Sequence, residues 1–68
     1  MSYREALRAA ELARVNYQHT ARVMQNCRRN GWHAEAEGLR PKLARLAGEW
    51  RAATEAMKAA REAHSVVS

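Results

Sequence analysis

The feature that most restricts the fold is an apolar register that runs straight through a proline. Trp32, Ala36, Leu39, Leu43, Leu46, Trp50, Ala53, Met57, Ala60 and His64 recur at spacings that alternate four and three residues. That alternation places every member on one face of an α-helix. A loop has no physical reason to hold such a phase, yet Gly38 and Pro41 fall inside the segment. Both lie off the stripe, on the side a packed helix turns to solvent. Proline removes an N–H donor and crowds the carbonyl four residues back, at a cost of about 3 kcal/mol or a kink. The register therefore predicts one long helix over about residues 32–64, bent near residues 37–41. The alternative is a short helix over 32–38 followed by a second helix with Pro41 in its first turn, where proline is well tolerated. The apolar face is the same in both.

Upstream, Tyr3, Ala6, Ala10, Ala13, Tyr17, Thr20, Met24 and Cys27 form another stripe with the same alternation. Ser2 and Glu5 have capping-box spacing, so Ser2 can accept from the Glu5 N–H and Glu5 can reach back. No Gly or Pro interrupts the chain from there to Arg29, and Asn30-Gly31 is a strong helix stop. A first helix over about residues 3–29 follows, with a turn at 30–31. Short connections join antiparallel neighbours. Small side chains on the first stripe suit the Leu and Trp residues of the second, which favours close packing. The predicted fold class is all-α: a single domain over residues 1–68, built as an antiparallel two-helix hairpin with its second helix kinked near Pro41 and a frayed tail at 65–68. The sustained heptad spacing favours left-handed coiled-coil packing.

Size makes that hairpin a poor stopping point. A chain of 68 residues belongs to the size class that buries only about 60% of its unfolded surface. Fifteen of its apolar residues are alanine, and Phe and Ile are absent. Cys27 is the only cysteine, so no disulfide can staple the chain. Leu12, Val15 and Val23 fall off the first stripe and have no place in a two-helix core. These residues are the candidate apolar interface, and they predict a homodimer forming a four-helix bundle, or docking on another protein. Residues 1–15 carry five charged side chains and no apolar run of signal-peptide length. No stretch approaches the roughly 18 apolar residues of a membrane span, so a cytoplasmic location and no membrane partner are expected.

The formal charge of +5 is uneven. Residues 20–46, which form the tip of the predicted hairpin, hold Arg22, Arg28, Arg29, Arg40, Lys42 and Arg45 against Glu35 and Glu37. Cations converging from both helices attract phosphate, so nucleic acid is a candidate partner and an acidic protein is another. Arg28 and Arg29 also complement the C-terminal dipole of the first helix, which makes a solvated basic end the simpler reading. Trp32 and His33 at that tip can stack on a base, although the register assigns Trp32 to the core. Trp50 belongs to the same face, and the Glu49-Trp50-Arg51 segment has the composition of an interface anchor.

No metal or cofactor is expected. Cys27, His19, His33 and His64 are the available soft ligands, and one hairpin cannot bring all four to a point. Catalysis is not expected either. The chain contains no Asp, its serines are Ser2, Ser65 and Ser68, and a Cys27–His33 pair has no patterned orienting carboxylate. The function these features predict is non-enzymatic: an adaptor, regulator or inhibitor that covers a partner protein's surface. The alternative is a nucleic-acid-binding accessory protein using the basic tip. Small size, Arg and Ala bias and the lack of enzymatic residues fit an accessory protein of a phage or mobile element. The paired helices resemble, in outline, small secreted hairpin proteins with a Trp-x-Gly turn. Here the turn reads Asn30-Gly31-Trp32, so no property of those proteins is carried over.

Overall fold

The computed structural model describes the backbone of residues 2–67 and the side chains of residues 2–63. The chain is all-helical, with α1 at Tyr3–Arg29, α2 at His33–Gly38 and α3 at Arg40–Val67. Ser2 starts α1 from an extended conformation, and its Oγ accepts from the Glu5 N–H at 3.2 Å. That bond satisfies one of the four N–H groups left open at a helix start. Glu5 sits in the first turn, and Arg28 and Arg29 in the last, so charge opposes the helix dipole at both ends.

The end of α1 is set by the turn that follows it. Gly31 has φ +79°, the sole positive φ among the described residues. Its N–H donates to the Arg28 carbonyl at 3.1 Å, and the Trp32 N–H donates to the Cys27 carbonyl at 2.8 Å. Those two bonds are the paired 5→2 and 6→1 bonds of a Schellman motif, which need a left-handed residue between them. A Cβ at Gly31 would meet nothing within 4 Å. The demand for glycine is therefore backbone strain, not space.

The segment after the turn bends where the sequence places the bend, and the hydrogen-bond ladder breaks there. Leu39 keeps helical dihedrals, φ −83° and ψ −13°, but separates α2 from α3. Its N–H closes on the Ala36 carbonyl at 3.1 Å, a tight i→i−3 turn. The ladder resumes when Leu43 N–H donates to the Leu39 carbonyl at 2.9 Å. Pro41 is the cause, because it has no N–H to give the Glu37 carbonyl. It becomes the second residue of α3, in the first turn, where that missing donor is harmless. The structure thus divides the second half of the chain at Leu39, as in the alternative reading, while keeping one helical direction of travel with a bend. At the other end, the backbone of α3 is helical to Val67. Ser68 lies outside the described residues.

Both apolar stripes face inward. Met24 and Cys27 of α1 pack with Ala36 of α2, and Leu39 and Leu43 cover that cluster. Further along, the Tyr17 and Trp50 rings meet at 5.4 Å between centroids, tilted by 41°. The Tyr17–Trp50 contact and the packing of Leu43 on the Met24 cluster place α1 and α3 side by side. The core is thin. Its buried members are Ala6, Ala10, Thr20, Met24, Cys27, Ala36 and Leu46, and no large side chain is fully buried among the described residues. The Cα trace spans 54 × 15 × 12 Å, the thickness of one layer of helices. No helix among the described residues is long and apolar enough to cross a membrane.

Gly31→Ala is expected to lower unfolding stability by about 1–2 kcal/mol, the cost of a left-handed alanine, read as a fall in the urea midpoint by circular dichroism. An unchanged midpoint would show that the turn tolerates a right-handed residue. For Tyr17 and Trp50, a double-mutant cycle with alanine should give a coupling of about 0.5–1.5 kcal/mol beyond lost area. Additive single effects would mean that the two rings do not interact in solution.

Candidate interaction surfaces

Trp32 is where sequence and structure disagree most. The register puts it in the core, but 56% of it is exposed. Its dihedrals, φ −85° and ψ 66°, are not helical, and α2 begins one residue later. A helical phase has meaning only inside a helix, so extending the stripe back to Trp32 carried it across a turn. Trp32 instead serves as the residue after Gly31 that closes the Schellman bond, with its indole at the end of the rod. His64, the last member of the stripe, has a side chain outside the described residues.

The six tip cations are all exposed, and the structure sorts them. Arg28 of α1 and Arg40 of α3 line one groove together. Arg22, Arg29, Lys42 and Arg45 do not line it. Arg40 also pairs with Glu37 at 3.3 Å, and Arg45 with Glu49 at 3.9 Å, both on open surface where such pairs contribute little. Among the described residues no carboxylate lies within ion-pair distance of Arg28.

The groove runs along one side of the seam between α1 and α3. Tyr17, Met24, Leu43 and Ala47 contribute its apolar wall, and its volume is about 510 Å³. Past Tyr17 and Ala47 it continues into a hollow of about 330 Å³ bounded by Trp50, Arg51, Thr54 and Glu55. Thr54 is held by its own helix: its Oγ1 donates to the Trp50 carbonyl at 2.8 Å. Sequence reasoning missed this groove. Its walls combine stripe members with flanking residues such as Arg28, Arg40 and Ala47, and what they expose depends on which side of the seam is left open.

The candidate apolar interface lies elsewhere. Leu12, Val15 and Val23 are 58%, 52% and 38% exposed. Leu12 and Val15 share a shallow surface with Arg8, Glu11 and Arg14. Cys27 is a free thiol buried in the cluster with Met24 and Ala36. Among the described residues no three His, Cys, Asp or Glu side chains come together as a metal-binding group.

The two tryptophans give this arrangement a direct optical check. In a Trp50→Phe protein the remaining Trp32 should be quenched by acrylamide nearly as well as free indole, and in Trp32→Phe the half-buried Trp50 should be protected at least about twofold. Trp32→Ala should cost under about 1 kcal/mol of stability and Trp50→Ala about 2–4 kcal/mol. Equal quenching and equal costs would return Trp32 to the core. No protein-family model, curated protein or solved structure matches the chain.

Proposed function

We propose that this chain is a small non-enzymatic interaction module, an antiparallel helical hairpin that pairs into a four-helix bundle and acts by covering a partner protein's surface as an adaptor, regulator or inhibitor. The observation that carries this reading is the distribution of apolar exposure. The core is built from alanines and a few larger residues, while Leu12, Val15 and Val23 stand in solvent on α1. A single layer of helices cannot cover both faces of α1, and a second copy supplies the missing layer. The contacts of Tyr17 with Trp50 and of Leu43 with the Met24, Cys27 and Ala36 cluster support the hairpin within each copy. A cytoplasmic setting belongs to this reading, since the single cysteine is kept as a buried free thiol.

The second reading, a nucleic-acid-binding accessory protein, is favoured by one observation. Trp32 stands exposed at the end of the molecule where Arg28, Arg29, Arg40 and Lys42 are also exposed. An indole beside cations is the combination on which a single-stranded base stacks while its phosphates are neutralised.

Sedimentation equilibrium over a range of concentrations tests the first reading. The wild-type chain should associate, and Leu12→Glu should raise the dimer Kd at least about tenfold, because a buried leucine contributes about 1.5–3 kcal/mol. A wild-type chain that sediments as a monomer at every concentration rejects the bundle. The second reading is tested with a labelled single-stranded oligonucleotide. Arg28→Glu with Arg29→Glu should abolish its binding, and the wild-type affinity should fall with log salt at a slope of about −0.7 per phosphate neutralised. Binding that ignores both salt and these substitutions rejects the basic tip.

A further inference from the structure

The seam groove joins two chemistries that the tip and the Leu12 face do not combine. Its floor is apolar and adaptable, with Met24, Leu43 and the half-buried Tyr17. Methionine repacks around different shapes, and Ala47 lets a neighbouring backbone come close. Its rim is mostly cationic, with Arg28 of α1 and Arg40 of α3 on the groove and Arg51 further along beside Glu55. From Arg40 to Thr54 the groove follows α3 for about 20 Å, the length of four helical turns. We propose that this groove is the partner-binding site, and that its occupant is an acidic amphipathic helix of another protein, apolar on one face and Glu- or Asp-rich on its edges.

Charge selects that occupant over a second copy of this chain. The chain's own exposed apolar ridge, Leu12 and Val15, is flanked by Arg8 and Arg14 against one Glu11. Laid into the groove, it would set arginines against Arg28 and Arg40. An isologous pairing of grooves would likewise bring Arg28, Arg40 and Arg51 of one copy against those of its twin, with Glu55 the one carboxylate in the lining. An acidic helix meets no such conflict. Arg28 has no carboxylate within ion-pair distance among the described residues, and Arg40 exchanges an exposed pair with Glu37 for a partly desolvated one. Packing a third helix into the groove between two others is ordinary helix-in-groove recognition, with anchors at i, i+3, i+4 and i+7.

The site rests on the interaction-module reading but uses different residues from the self-association face, so the two fail separately. The probe is a fluorescein-labelled peptide of about 18 residues, long enough to span the groove, with leucines at helical spacing and glutamates on the flanks. A scrambled peptide of equal composition, a version with lysine for glutamate, and a single-stranded oligonucleotide are the controls. Fluorescence anisotropy should show the acidic amphipathic peptide binding at least about tenfold more tightly than the scrambled or lysine versions. Arg28→Glu with Arg40→Glu, both on the surface, should weaken it about tenfold or more, and so should Ala47→Glu in the floor. Circular dichroism confirms that each variant is helical. Leu12→Glu should leave peptide binding unchanged while sedimentation reports its effect on self-association.

Three results overturn the inference. One is equal binding of the scrambled peptide. Another is an unchanged Kd in the Arg28→Glu, Arg40→Glu protein. The third is displacement of the peptide by the oligonucleotide together with unchanged peptide binding in the Ala47→Glu protein, which assigns the arginines to phosphate and leaves the apolar floor unused. If the peptide fails to bind and Ala47→Glu dissociates the protein, the groove is covered by a second copy and the inference falls while self-association stands.

Discussion

Gly31 holds a left-handed conformation, and the turn between α1 and α2 depends on it. Two carbonyls of α1 would otherwise face solvent or be lost; the turn satisfies both with the N–H groups of Gly31 and Trp32. The turn is also a register device. Because it is so short, it fixes which residues of the two halves meet: Cys27 and Met24 against Ala36, Leu39 and Leu43, and later Tyr17 against Trp50. The same short connection gives Trp32 its exposed place at the end of the rod.

With the register fixed, the composition decides how much can be buried. Alanine on α1 brings the helices close, which is why Ala6 and Ala36 each keep only 1% of their surface. Close approach leaves little volume between the axes, so large side chains are pushed to the margins of the seam. Tyr17, Leu39, Leu43, Trp50 and Met57 are accordingly half-buried. The result is an uneven ledge along the seam and not a closed core. A small protein built this way is stabilised by whatever completes the ledge, because apolar area removed from water contributes roughly 25 cal/mol per Å² wherever it is removed. Stability and binding in this chain therefore draw on the same side chains.

Much of this was legible in the sequence. Ser2 with Glu5, Asn30-Gly31 and the two stripes define the ends of α1 and the inward face of every helix, because caps and periodicity act locally. All eight members of the first stripe are buried or half-buried, and in the second Ala36 through Ala60 are too. What was not legible depends on choices made between elements. Trp32 continues the spacing numerically, yet it sits in a turn, and spacing alone cannot tell a turn residue from the first residue of a helix. The break at Leu39 depends on whether the last bonds of α2 tolerate the missing Pro41 donor. The groove depends on which flank of the seam stays open, so Arg28 and Arg40 read as part of one basic tip until the helices were placed side by side. The same placement separates them from Arg45, which turns to Glu49.

Arg28 is the residue that the two proposed surfaces share. It lies in the last turn of α1, close in sequence to Trp32, and it also forms one wall of the groove. A guanidinium satisfying a partner carboxylate over the Met24 and Leu43 floor is partly withdrawn from water, and such a contact strengthens as the apolar area beside it is covered. A guanidinium satisfying a phosphate at the tip remains hydrated, needs no apolar floor, and is screened over a Debye length of about 8 Å at physiological salt. The groove spends apolar surface that phosphate recognition would leave wet, and Trp32 offers a stacking face that a docked helix would not use. One side chain cannot serve both at once. A protein helix in the groove and a nucleic acid at the tip are therefore expected to exclude one another through Arg28, so the apolar floor, which only the helix uses, tips the choice toward protein as salt rises.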